Sequence, residues 1–343
     1  MTGDELLRRS INGEIIAIGL AIVVIIGNAI WTAGNDRRLR SRMGIGRQLL
    51  LAAIETAPPD DQLKLLQRLG RRIQIRLLAE LAPSLEGEQR AALSDLAARL
   101  GITARATTQC HSRWWWRRLY ATRVLTLVDA GEDIMPTLIR DPHPLVRAQV
   151  AEWASQHPSP SLLLALIALL DDTKRIARFA VQDTLLRIGR PSVPALIYAL
   201  GTMGPVGIAS GLIVAARLGD PDLLPLGVSF ADHPSAAVRA AAGGVLAAIG
   251  GDVAVEALHR LVADPIGDVR LAGARGLGRL EHWPSATVLL PLLSDPTFPV
   301  RREAALALTA MGAPGSLILR TALRGSDRFA ADIAAQALGA EQT

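Results

Sequence analysis

The stretch DPIGDVRLAGARGLGRLEHWPSATVLLPLLSDPTFPVR, residues 264–301, decides the fold. It opens on Asp264-Pro265, reaches Val269-Arg270, runs through small and aliphatic residues, and meets Asp-Pro and Val-Arg again at Asp295 and Arg301. Apolar residues recur at helical spacing, and no stretch alternates with period two over the length of a strand. Each unit therefore reads as two helices. The first runs from the Val-Arg pair to a glycine, as from Val238 to Ile249 with Gly250 expected as a left-handed C-cap. The second is shorter and often carries a proline near its start, as in PSVPALIYAL (Pro191 to Leu200) and PSATVLLPLL (Pro284 to Leu293). A helix pair of this size cannot bury its apolar face alone, so the pairs must stack.

Outward from this stretch the pattern recurs as DPHPLVR (Asp141 to Arg147), DDTKRIAR (Asp171 to Arg178) and DHPSAAVR (Asp232 to Arg239). The arginines at 147, 178, 239, 270 and 301 are separated by 31, 61, 31 and 31 residues. The long gap holds a degenerate unit, GPVGIASGLIVAARLG from Gly204 to Gly219, which lacks both signature charges. One period back from Arg147 lies WWWRRLYATRVLTLV (Trp114 to Val128), a further first helix, followed by DIMPTLIRD as its second. The recognisable array is expected over residues 112–343. Its end, Asp327 to Leu338, reads as an atypical cap helix with Ile333 in place of the arginine. Residues 49–111 carry amphipathic helices such as Asp60 to Leu69 and Ile73 to Leu81, either diverged repeats or a capping bundle.

The D-P-x-x-x-V-R…A…L-G…P-x-L-x-x-L-L pattern over residues 141–310 resembles the HEAT-repeat superfamily, especially the short bacterial type related to phycobilisome-lyase repeats. The resemblance implies an all-α, right-handed α-solenoid of helix pairs with a period of about 31 residues. It also implies a structural role for Asp141, Arg147, Arg178, Asp232, Arg239, Asp264, Arg270, Asp295 and Arg301. The aspartate would cap a helix, and the arginine would bond it or its neighbour in the adjoining repeat as a buried ladder. An arginine lost from the middle would leave a carboxylate unpaired and destabilise the fold.

Toward the other end, Ile15 to Asn35 is 21 residues without a charge. As a helix, residues 14–34 are long enough to cross a bilayer core, at about 1.5 Å rise per residue, and Trp31 falls where an interfacial tryptophan is expected. This gives a short tail at 1–13, a single transmembrane helix at 14–34 and a basic juxtamembrane segment at 35–48. Arg37, Arg38, Arg40 and Arg42 crowd the C-terminal flank, with Arg47 beyond, which places the N-terminus outside and the array in the cytoplasm under the positive-inside rule. Those arginines also suit anionic lipid heads. The expected localisation is the inner (plasma) membrane. Ala17 and Ala21 have the small-xxx-small spacing through which two such spans can pair as a homodimer.

Half of the 343 residues are hydrophobic, and there is one cysteine, which excludes a disordered chain and a disulfide scaffold. The net charge of +5 is concentrated before residue 141, for residues 141–343 hold seventeen bases against eighteen acids. A nucleic-acid binder would show a basic stripe along the array, so no nucleic-acid partner is expected. No catalytic residues are assigned: there is no HExxH, Walker or GxSxG motif, and Cys110 beside His111 lacks a third, orienting group. No metal site and no cofactor are expected either.

The most unusual local cluster is Trp114, Trp115 and Trp116 followed by Arg117 and Arg118. Three consecutive helical residues point about 100° apart, so one core stripe cannot take all three. One or two are expected to pack on the preceding helical region and at least one to stay exposed. Tryptophan and arginine dominate binding hot spots, which makes these five residues the candidate contact for a partner protein. The whole reads as a non-enzymatic, membrane-anchored scaffold, with a membrane glycosyltransferase system as the client that the resemblance suggests. The alternative is a subunit of a lyase-type enzyme, such as a chromophore lyase, which the repeat type permits.

Overall fold

The computed structural model describes residues 42–56 and 58–340. The expected span at 14–34, with Ala17, Ala21, Arg37, Arg38 and Arg40, lies outside them. Among the described residues no helix is long and apolar enough to cross a membrane. These residues are helical, with no strand, and the chain divides into two compact units, residues 1–111 with 123–131, and residues 112–122 with 132–343.

In the first unit, α1 covers residues 42–55, so helix begins inside the expected juxtamembrane segment. Arg42 is exposed on it, and Arg47 lies 3.5 Å from Glu80. Then follow α2 (Asp60–Arg68), α3 (Arg71–Leu81), α4 (Gly87–Arg99) and α5 (Ile102–Cys110). They close on a core of Leu50, Leu66, Leu77, Leu78, Leu93 and Leu96, all at most 1% exposed. Each such leucine contributes on the order of 2 kcal/mol by leaving water. Among them Gln74, 5% exposed, donates to the Leu66 carbonyl at 2.9 Å, which satisfies its buried amide.

The second unit is the repeat array. Its first helices are α6 (Trp115–Leu127, whose last turn belongs to the first unit), α7 (Pro144–Ala154), α9 (Arg175–Ile188), α11 (Pro205–Leu218), α13 (Ala236–Ile249), α15 (Gly267–Arg279), α17 (Phe298–Ala310) and α19 (Arg328–Ala340). From α11 to α17 each packs on the next, the arrangement of an α-solenoid. The residue before each motif arginine, at 146, 177, 238, 269 and 300, is 0% exposed, and so are Leu185, Leu246, Leu277 and Leu308, eight residues further along. That spacing of i and i+8 is one face of a 3.6-residue helix, turned inward.

The second elements are α8 (Pro160–Ala168), α10 (Val193–Ala199), α12 (Leu224–Phe230), α14 (Asp252–Val262), α16 (Ala286–Leu289) and α18 (Ala313–Leu323). Several break into 3-10 turns. The helix expected over Pro284 to Leu293 is a 3-10 turn at Trp283–Ser285, four residues of α-helix and a second 3-10 segment at Leu290–Ser294. Pro291 is the cause, for it has no N–H to bond back along the helix. DIMPTLIRD is likewise a 3-10 helix, Met135–Arg140, around Pro136. Gly250 ends α13 at φ 78 and ψ −162, with its N–H on the Leu246 carbonyl. Its φ is positive as expected, although its ψ falls outside the left-handed helical basin.

Candidate functional site

The repeated charges form cross-repeat bridges. Arg239 Nε and Nη2 donate to Asp264 at 2.6 and 2.9 Å, and Arg270 donates in the same way to Asp295 at 2.6 and 3.0 Å. Arg147 Nε reaches Asp172 at 2.6 Å. The third arginine nitrogen turns back to the carbonyl six residues earlier, as in Arg270 Nη1 to Asp264 O at 2.8 Å and Arg147 Nη1 to Asp141 O at 2.6 Å. Each carboxylate also accepts the N–H two residues on, from His143, Lys174, Ile266 and Thr297, all at 2.8 Å. One aspartate thus shapes its own turn and holds the arginine of the preceding repeat.

The electrostatics follow from this geometry. The Arg239 hydrogen bond, helped by the Ile266 N–H, holds Asp264 below the ordinary carboxylate range. At Asp295 burial pushes upward, and the bonds from Arg270 and Thr297 together outweigh it, so the net shift is again downward. A depressed folded-state value stabilises the protein above the unfolded carboxylate pKa, about 3.9. That contribution is lost as pH falls through the folded values. Thermal unfolding should show a steep fall in melting temperature below about pH 4, separate from any change between about pH 7 and 5, where these carboxylates stay charged. An unchanged melting temperature down to about pH 3 would contradict these bridges.

The structure revises several ladder assignments. Arg118, read as a partner contact, belongs to the ladder: its Nε and Nη2 donate to Asp141 at 2.6 and 2.8 Å, and its side chain is 13% exposed. Asp232 does not belong to it, for its exposed carboxylate lies 3.4 Å from Arg260. The register position six residues before Arg239 is His233, whose carbonyl accepts from Arg239 and whose Nδ1 accepts the Ser235 N–H. Arg178 reaches the Asp172 carbonyl but no carboxylate, because Met203 stands where its acid would be. Arg301 bonds the Asp295 carbonyl, and its guanidinium lies over the rings of Phe298 and Phe329 at 5.5 and 4.7 Å.

Across the degenerate unit another acid acts. Asp171 accepts from the N–H groups of Gly204 at 3.2 Å and Gly207 at 2.9 Å, and so caps α11 from the preceding repeat. A Cβ on Gly207 would stand 2.9 Å from the Asp171 Cβ, which is why glycine is needed there. The doubled acid of DDTKRIAR is the signal in the sequence. Asp172 enters the ladder and Asp171 takes the cap.

The aromatic cluster is built on the first ladder bridge. Asp141, held by Arg118, fixes the His143 turn, and the His143 ring stacks on Trp115 with centroids 3.8 Å apart and planes 4° from parallel. Trp114 stacks on Trp116 at 4.6 Å, and Arg113 lies over Trp114 at 4.6 Å. None of the three tryptophans is buried: Trp114, Trp115 and Trp116 are 39, 37 and 48% exposed. They pack on one another and on His143. Arg117 and Tyr120 are exposed beside them. The result is a rigid aromatic and basic edge, pre-ordered by stacking and by a bidentate ion pair.

Other polar groups resolve as structural. Cys110 is buried at 2% exposure, away from incoming reagents. Among the described residues no cluster of histidine, cysteine and acids could hold a metal ion. A serine between two histidines, Ser285 with His259 and His282, has no signal in the sequence and is drawn together from α14 and the turn before α16. Ser285 is 1% exposed, so substrate cannot reach its hydroxyl. A hollow of about 400 Å³ between α8 and α10 is lined by Pro160, Leu163, Leu164, Pro194, Ala195 and Tyr198.

Residues 258–339 match the family described as HEAT repeats, which supports the HEAT-repeat superfamily for that part of the chain. No curated protein matches the chain significantly. Among solved structures, the complex of CpcE and CpcF of phycocyanin lyase from Nostoc is 20% identical over 67% of this chain and 91% of that one, at a TM-score of 0.32. Human deoxyhypusine hydroxylase is 17% identical over 74% and 98%, at 0.30. The Escherichia coli protein YibA is 16% identical over 74% and 97%, at 0.44.

Proposed function

We propose that this chain is a non-enzymatic scaffold, tethered to the inner membrane by the span at 14–34, whose cytoplasmic repeat array binds a partner protein through its aromatic edge. The exposed rings of Trp114, Trp115 and Trp116, ordered on one another and on the half-buried His143, carry the reading. Three partly exposed tryptophans leave apolar surface in water for a partner to cover, and stacking lowers the entropy cost of ordering them when it docks. Arg113 and Arg117 supply the charged rim. Arg118 drops out of the contact and becomes its support, since it holds Asp141.

Trp115→Ala should weaken the partner by about 2 kcal/mol or more, roughly 30-fold in affinity. Cross-linking in the native membrane followed by mass spectrometry measures it, with circular dichroism to show that the array stays folded. A stoichiometric partner present with the wild type and lost with Trp115→Ala supports the proposal; a partner retained by both overturns the assignment to this edge. Extraction with alkaline carbonate tests the tether separately. Release of the chain into the soluble fraction would remove the membrane part of the proposal and leave the aromatic edge standing.

A further inference from the structure

Ser285 joins two successive repeats through the two histidines around it. His259 projects from α14, while His282 and Ser285 flank Trp283 at the start of the next second element. Ser285 Oγ lies 2.6 Å from His259 Nε2 and 2.7 Å from His282 Nδ1. A hydroxyl has one proton to give. It can donate to one ring nitrogen only, and the other ring must donate to it. Both bonds are satisfied when one facing nitrogen carries a hydrogen and the other is bare. When both rings are protonated, both facing nitrogens carry hydrogens, the serine proton loses its acceptor and two imidazolium rings face each other across one oxygen.

We propose that His259, Ser285 and His282 form a proton-operated latch, closed while at least one ring is neutral and opened by protonation of both. The latch ties α14 to the 283–294 segment, next to the exposed Trp283. Burial pushes His259 below the usual imidazole range, the charge on His282 adds to this, and Glu256 on the same face opposes both. Of the other elements packed here, α12 and α16 carry no ionisable group, Arg239 and Arg270 are held in the ladder, Arg275 is paired with Glu303 and Arg260 with Asp232, and Asp268, Arg279 and Glu281 are the remaining charged groups on α15 and the turn after it. A histidine whose folded value lies below its unfolded value, about 6.5, stabilises the fold above that pH and costs stability as pH falls beneath it.

Amide hydrogen exchange of the full chain, corrected for the intrinsic pH dependence, tests the latch between about pH 7.5 and about pH 5.5. Protection in residues 252–262 and 283–294 should drop at least about fivefold at the lower pH, while α7 and α9 stay unchanged. Ser285→Ala removes the shared hydroxyl and His259→Gln removes the titration while keeping hydrogen-bonding capacity; both should abolish the step. His282→Asn provides the same test should either variant fail to fold. A pH step of the same size in the wild type and in these variants, or no step in the wild type, would overturn the proposal.

Discussion

Replacing Arg270 by alanine is expected to destabilise the array by about 3 kcal/mol. The arginine makes four hydrogen bonds, two to the Asp295 carboxylate and two to the carbonyls of Asp264 and Pro265. Its removal leaves Asp295, whose side chain is 3% exposed, charged and without its counter-ion. The Thr297 N–H remains on that carboxylate and does not neutralise it. Truncation therefore costs more than the net contribution of the intact pair, which is offset by desolvation of both ions. Because each repeat touches only its neighbours, loss of exchange protection should centre on α15 and α17. Adding Asp295→Asn to Arg270→Ala should recover at least about 1 kcal/mol, since the amide keeps the turn bond and removes the stranded charge. Urea unfolding of the two single variants and the double variant measures this. A loss under about 0.5 kcal/mol for Arg270→Ala, or strict additivity in the double variant, would refute the account.

Gly315→Ala is expected to be comparably destructive, against the local trend. Gly315 lies within α18, where alanine is favoured over glycine by about 1 kcal/mol. The added Cβ would stand 1.8 Å from the Leu308 carbonyl oxygen and 2.6 Å from its carbon. Both atoms are backbone of α17, so no rotamer change can make room, and the two helices must part. The expected net loss is about 2 to 3 kcal/mol. Gly244→Ala in α13 is the matched control, since its Cβ would meet only the Ala216 Cβ, at an ordinary 3.5 Å. It should stabilise by up to about 1 kcal/mol. If the two glycine variants unfold at the same urea concentration, close backbone approach is not what selects glycine at 315.

The first helices were legible in the sequence because their cause is local. A valine or alanine before each motif arginine and a leucine or alanine eight residues later define one face of a helix whatever surrounds it, and the structure buries those residues completely. The second elements were only half legible. Their prolines announce a start, but where α-helix gives way to 3-10 turns depends on which carbonyls Pro291 and Pro136 leave without a donor. Of the aromatic edge, the composition was plain and the packing was not. Arg118 reads as one of a pair with Arg117 until Asp141, 23 residues on, takes its guanidinium. The same distance effect hid the Ser285 joint, whose histidines are separated by 23 positions along the chain and share one hydroxyl in space.

By itself the sequence determined the period, the helix pairs and the buried face, because backbone hydrogen bonding and exclusion of apolar side chains from water act within a few residues of one another. Only the tertiary structure decided which acid meets which arginine, that Asp171 rather than a ladder aspartate caps α11, and that α17 comes close enough to exclude a methyl group at 315. Those contacts join residues seven to some thirty-six positions apart. They depend on how far successive helix pairs shift and turn as they stack, a quantity set by the summed packing of whole repeats and written in no single one of them.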